Sequence, residues 1–181
     1  MARTTARIFD EYLVLSAKAG DRRAFELLAR RWQKRLTAHA WRLTGDPEAA
    51  RDAAQAGWLE IVRGLNRLRD ERAFPAWAYR IVSRCCARQI AGAKRRRRLG
   101  EALALVPSSQ EPEGDVRLGS GALRTAIRAL PPDQRTAIAL VHFEDMTIAE
   151  VAVALDVPAG TIKTRLMYAR RKLRAALEGE A

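Results

Sequence analysis

Apolar residues recur at helical spacing along most of the chain, and strand-like alternation is nearly absent. Phe25, Leu28, Ala29, Trp32, Leu36, Ala40 and Leu43 form one stripe, with Asp21 placed to cap its start and Gly45 to end it. A helix is therefore predicted over 22–44. A second stripe, Ala50, Ala54, Trp58, Ile61, Val62 and Leu65, follows Asp46, a capping acid. Pro47 stands at the first helical position, where its missing N–H costs nothing. The opposite face of this helix carries Glu48, Asp52, Gln55 and Arg63. A third helix is predicted from about Pro75 to Arg98. Alanine, leucine and arginine dominate throughout, all strong helix formers.

One stretch breaks the pattern. VPSSQEPEGDVRLGSG, residues 106–121, is rich in Pro, Gly and Ser, acidic near its middle and weakly periodic, which reads as a linker. Beyond it four more helices are predicted. Leu123, Ile127 and Leu130 mark the first. LPPDQRTAIALVHFEDM restarts on prolines and packs Ile138, Leu140, Val141 and Phe143. Thr147 and Glu150 have the spacing of a capping box before Ile148, Val151, Ala152 and Leu155. Asp156-Val157-Pro158 then makes a tight turn into a longer, basic helix. A short helix, a tight turn and a basic helix read as a helix-turn-helix. The chain is thus expected to be all-α: two small helical domains, 1–100 and 122–181, joined by a flexible linker at 101–121, with the helix-turn-helix in the second.

Charge narrows the function. The formal net charge is +12 over 181 residues, which favours a polyanionic partner. The excess is concentrated in two tracks. No acid lies between Glu71 and Glu101, where Arg80, Arg84, Arg88, Lys94, Arg95, Arg96, Arg97 and Arg98 fall beside Phe74, Trp77 and Tyr79. Guanidinium groups meet phosphates and aromatic rings can stack unpaired bases, so this track suits a nucleic-acid strand. Trp77 and Ile81 also read as core positions, with the arginines as a solvated face. In the last helix, Ile162, Leu166, Ala169 and Leu173 stack inward at about 100° per residue. Gly160, Thr164, Met167 and Arg171 lie opposite, with Lys163 and Tyr168 on the flanks. A side-chain-free Gly160 lets backbone approach DNA, and the helix N-terminus attracts phosphate.

Other chemistry finds little support. His39 and His142 stand alone, and no Cys/His spacing suits zinc. Adjacent Cys85 and Cys86 read as partly buried thiols in a reducing compartment, with a redox switch as the other reading. No cofactor is expected. Acids are scattered and absent from the basic tracks, which argues against a metal-dependent nuclease. The N-terminus lacks the pattern of a signal peptide, and no run approaches the roughly 18 apolar residues of a membrane span. A cytoplasmic, non-enzymatic protein is expected.

Four stretches in order resemble the extracytoplasmic-function (ECF) sigma factors, small promoter-specificity subunits of bacterial RNA polymerase. They are GDRRAFELLARRW, LTGDPEAARDAAQAGWLEI, FPAWAYRIVSRCCARQI, and LPPDQR followed by TIAEVAVALDVPAGTIKTRLMYARRKLR. The resemblance covers about residues 10–98 and 122–177. It implies that Asp52 and Gln55, with Trp58 and Leu59 nearby, contact the β′ clamp of core polymerase. It implies that Arg72, Phe74, Trp77, Tyr79, Arg80 and Arg84 meet the −10 element and help part its strands; Arg88 extends that track. Gly160, Thr161, Lys163, Thr164, Arg165 and Tyr168, with Arg171 on the same face, would read the −35 element. The linker would run through polymerase toward the RNA exit path, and the core's β subunit is expected as a partner beside the β′ clamp. An anti-sigma factor commonly covers both domains in such proteins. Arg84 and Arg88 stand where the family usually has Asn and Asp, so the −10 helix is more cationic than usual. Tyr168 stands where Arg is frequent. The competing reading is an autonomous helix-turn-helix repressor or activator, which leaves Asp52, Gln55 and the first basic track without a task.

Overall fold

The computed structural model describes residues 5–98 and 121–178, and every regular element among them is helical. The predicted linker lies outside the described residues except for Gly121. The helices are α1 (Thr5–Lys18), α2 (Arg22–Thr44), α3 (Pro47–Gly64), α4 (Phe74–Arg98), α5 (Gly121–Ala129), α6 (Pro132–Ile138), α7 (Ile148–Leu155) and α8 (Ala159–Glu178).

The predicted caps form. Asp21 Oδ1 accepts from the N–H groups of Arg23 (2.8 Å) and Ala24 (3.2 Å) at the start of α2. Gly45 ends that helix at φ 73, a left-handed conformation that glycine adopts without steric cost, and its N–H reaches Trp41 O at 2.8 Å. Asp46 caps α3 by accepting from Ala49 N–H at 2.7 Å. The face of α3 that packs inward is made of small residues, Ala50, Ala53, Ala54 and Gly57, with Ile61. A Cβ on Gly57 would stand 2.7 Å from Val82 Cγ2, so that glycine lets α3 and α4 close up. Such a narrow seam leaves no room for the whole predicted stripe. Val62, read from the sequence as inward-facing, is 55% exposed.

α1 is absent from the sequence reading. Its buried residues are Asp10, Leu13 and Val14, while Ile8, Phe9, Tyr12 and Leu15 are exposed, so its apolar positions do not sort to one face. The centre of the N-terminal helices is aromatic. Trp32 meets Phe74 and Tyr79 edge-on, with ring centroids 5.2 and 5.7 Å away. His39 is fully buried beside them, its Nε2 2.9 Å from Ser83 Oγ.

In the C-terminal helices, α6 runs into a wider π-type turn over Ala139–Phe143. The chain leaves this turn with Met146 N–H bonded to Leu140 O at 3.1 Å. Both halves of the capping box exist: Thr147 Oγ1 accepts from Glu150 N–H (3.2 Å), and Glu150 Oε2 accepts from Thr147 N–H (2.7 Å). Asp156 makes the turn before α8 at φ 57. Ile162, Leu166 and Ala169 face the core as predicted, with Leu173 packed against it.

The two groups of helices touch. α7 packs on α4. Glu144, directly after the wide turn, is buried and accepts hydrogen bonds from Arg42 Nη1 (2.7 Å) and from the Tyr79 hydroxyl. Arg35 lies 3.6 Å from the same carboxylate. Arg80 pairs with Asp156 at 2.7 Å, and Arg7 with Glu150 at 2.9 Å.

Candidate nucleic-acid interface and docking face

On α3, Asp52, Gln55, Leu59 and Val62 are all exposed, at successive spacings of three, four and three. They form one solvent-facing seam. Leu59 and Val62 leave more than half their surface in water, which makes the seam apolar at one end and polar at the other. Trp58 belongs beneath it. Its ring is half-buried and edge-on to Phe25 at 6.1 Å, so it supports the seam from the α2 side. Val62 is the member that sequence reasoning missed.

The α4 track departs further from expectation. Phe74 and Tyr79 expose nothing, so they cannot serve as open stacking platforms in this arrangement; they build the core around Trp32. Trp77 is half-buried and lies against Gly64, where a Cβ would come within 2.9 Å of its ring. Arg72 is exposed in a single turn of tighter helix, its N–H held by Asp70 at 3.0 Å. Arg84 and Arg88 are not a bare cationic run. Both converge on Glu60 of α3, with Arg84 at 3.4 Å and Arg88 closer. The Arg88 hydrogen bond holds the Glu60 carboxyl below the usual carboxylate range. Arg88 Nη2 also lies 3.0 Å from Cys85 Sγ. Burial pushes both thiols up, Cys86 to about 12, so neither carries the thiolate character of a reactive cysteine. Lys94, Arg95 and Arg96 continue the track in exposed positions.

On α8, Gly160, Lys163, Thr164, Tyr168 and Arg171 are exposed and Thr161 is half-exposed. A Cβ at Gly160 would meet nothing within 4 Å, so the chain's own packing does not demand a glycine there. The freedom is on the outer surface, where a ligand could approach. Thr164 Oγ1 donates to Gly160 O at 3.0 Å. Arg171 lies over the Tyr168 ring, 5.6 Å from its centroid. Arg165 is tied back to Asp133 at the start of α6, at 2.7 Å. Among the described residues no cluster of three or more metal-ligating side chains occurs. No described helix is long and apolar enough to cross a membrane.

Two family profiles match this chain: Sigma-70 region 2 over residues 28–96 and Sigma-70 region 4 over residues 120–173. The chain is 28% identical over 183 residues to the RNA polymerase sigma-H factor of Pseudomonas aeruginosa, a match spanning 93% of this chain and 94% of that one. It is 27% identical over 179 residues to the ECF RNA polymerase sigma-E factor of Escherichia coli K12, spanning 92% and 93%. The chain belongs to the ECF sigma factors.

Solved structures agree in fold. CnrH, in complex with the cytosolic domain of CnrY, matches with a TM-score of 0.71 and 23% identity, covering 96% of this chain and 99% of that one. The sigma factor RpoE from Bartonella quintana, in complex with the anti-sigma factor NepR, matches with a TM-score of 0.71 and 23% identity, covering 85% and 96%. This sigma factor therefore directs RNA polymerase to promoters in transcription initiation. The region 2 match contains the α3 seam and the described α4 track, and the region 4 match contains the whole α8 face.

Proposed function

We propose that this sigma factor divides its work between an N-terminal domain (1–100) and a C-terminal domain (122–181), with residues 101–121 setting their spacing. The α3 seam of Asp52, Gln55, Leu59 and Val62 docks on the β′ clamp of core polymerase. Arg72, Trp77, Arg80, Arg84 and Arg88 line the surface for the −10 strand, with Phe74 and Tyr79 supporting it from beneath. Gly160, Thr161, Lys163, Thr164, Arg165, Tyr168 and Arg171 read the −35 element in a major groove. The mechanism is binding energy without bond chemistry: polymerase supplies the catalyst, and this chain supplies position. It works in the cytoplasm and is held in check by an anti-sigma factor, a reading supported by its likeness to RpoE, which was solved in complex with the anti-sigma factor NepR.

The observation that carries this reading is the α3 seam. Four exposed side chains, two of them large and apolar, have no partner among the described residues and no task in an autonomous DNA binder. Run-off transcription with purified core polymerase tests it. Asp52→Ala with Gln55→Ala should weaken polymerase binding and transcription while the helical signal stays unchanged. Undiminished transcription by that double variant rejects the docking face. Lys163→Ala and Thr164→Ala should impair promoters only through the −35 site; equal effects with and without that site reject the groove assignment.

A further inference from the structure

Lys18 closes α1 and reaches out of it. Its Nζ donates to Leu68 O at 2.7 Å and to Glu71 Oε1 at 2.6 Å. These acceptors stand 50 and 53 residues further along the chain, in the loop of 65–73 that joins α3 to α4. That loop has little of its own to hold it. It consists of two single turns of tighter helix, Leu65–Arg67 and Glu71–Ala73. Leu68 N–H closes the first on Leu65 O at 3.1 Å, and Ala73 N–H closes the second on Asp70 O at 3.0 Å. Neither bond ties one turn to the other. Lys18 does: Leu68 O leaves the first turn, Glu71 opens the second, and one ammonium holds both. Among the described residues, no other side chain from beyond the loop hydrogen-bonds to it.

An ammonium suits this place. It is a compact charge with three donors, so it can bridge a carbonyl and a carboxylate that belong to different turns. The lysine and glutamate side chains leave only 20% and 25% of their surface in water, which spares the pair much of the screening that weakens exposed pairs. The loop has a definite face. Leu65 and Leu68 are buried, while Asn66, Arg67, Arg69 and Arg72 are exposed. Trp77 lies against Gly64 at the root of the loop, so the loop adjoins the α4 track.

We propose that Lys18 is a positioning residue for the −10 surface. By clasping Leu68 O and Glu71 it fixes the loop that carries Arg67, Arg69 and Arg72, and so sets how strictly the −10 element is read. The inference rests on the assignment of Arg72 and Trp77 to that surface. A loop free to shift would still offer three cations to phosphate and keep its attraction for DNA. It would lose the fixed geometry that separates one base from another, because phosphate contacts carry no sequence information. α1 thereby takes part in promoter choice without touching the promoter.

Two measurements on the full chain test this. The first needs no polymerase. Lys18→Met keeps a long, unbranched side chain and removes its charge and donors. Hydrogen exchange at the amides of 65–73 should then run roughly tenfold faster, in keeping with the loss of one charge-assisted hydrogen bond. The first turns of α2 and α3 should exchange as in the wild type. The second measurement uses holoenzyme, on a promoter and on versions changed at single −10 or −35 positions. Discrimination at −10 should fall roughly fivefold, near the lower end of what one base pair is worth. Discrimination at −35 and affinity for core polymerase should stay at wild-type levels. Lys18→Arg, which keeps charge and donors, should restore most of the −10 discrimination. Glu71→Ala should act in the same direction as Lys18→Met and add little to it in the double variant.

Unchanged exchange over 65–73 overturns the clasp. Faster exchange with intact −10 discrimination overturns its part in reading, and so does an equal loss at −10 and −35, which marks general destabilisation. A wild-type holoenzyme without −10 preference rejects the surface assignment itself, and this inference with it. Should Lys18→Met lose its helical signal, Glu71→Ala decides by the same criteria.

Discussion

Asp133, at the start of α6, holds the guanidinium of Arg165 on α8 at a distance of 2.7 Å. An arginine on the proposed reading face is thus aimed by an acid from another helix. Removing the acid should loosen the aim and add one net positive charge. Asp133→Ala should therefore steepen the salt dependence of holoenzyme binding to non-promoter DNA by up to about one unit of log–log slope. Discrimination in favour of DNA bearing the −35 element should fall. Filter binding across a salt series, on DNA with and without that element, reads both quantities; unchanged slope and discrimination would show that Asp133 has no such role.

His39 makes stability depend on pH. Burial, helped by the charge of Arg42, lowers its pKa from 6.5 to about 3. Between those values the unfolded chain holds a proton that the folded chain does not. The stabilisation is complete above pH 6.5 and declines as pH falls toward 3, by about 1.4 kcal/mol per unit. Urea unfolding at pH 7 and pH 5 should differ by about 2 kcal/mol from this residue alone. His39→Gln should be less stable at pH 7 yet lose most of that difference. His142, lowered by burial and by Arg170, adds a slope of the same sign that the variant retains.

The contact of α3 with α4 depends on the absence of a side chain at Gly57. Gly57→Ala places a methyl 2.7 Å from Val82 Cγ2, and overpacking of this kind costs about 1–3 kcal/mol. Val82→Ala in the same chain removes the obstructing methyl. The double variant should be more stable than the sum of the two single losses predicts, and a double-mutant cycle by chemical denaturation measures the difference. Strict additivity would mean that the helices move apart instead.

Local features were legible in the sequence because their chemistry is local. Asp21, Asp46, Gly45 and the Thr147–Glu150 box act within one turn of chain, and each does what its residue type predicts. The inward face of α8 followed from spacing alone. What stayed hidden involves partners distant in sequence. Arg84 and Arg88 read as an unrelieved charge run because Glu60 lies on another helix. Phe74 and Tyr79 read as surface rings because aromatic residues suit a strand and a core equally. Val62 read as buried because period alone does not give the width of a seam lined by alanines. α1 offers no clean stripe, so its pattern could not announce it.

The capping box on α7 is a further point of leverage. Thr147→Ala removes the acceptor for Glu150 N–H and should cost about 1 kcal/mol. Thr147→Ser keeps the hydroxyl and should cost much less. Thermal unfolding followed by circular dichroism distinguishes them, and equal losses would assign the effect to the threonine methyl instead.

The wide turn at Ala139–Phe143 gives chain length a role of its own. One added residue rotates everything beyond it by about 100° relative to an uninterrupted helix, and Glu144 comes next. Its carboxylate points inward because of a residue count, not only because it is a glutamate. Losing a single codon there would turn the same acid away from Arg42 and Tyr79 and leave every charge in the protein untouched. Inheritance could therefore abolish or restore the fastening between the two halves through an insertion or a deletion, without any substitution at the residues that fasten them.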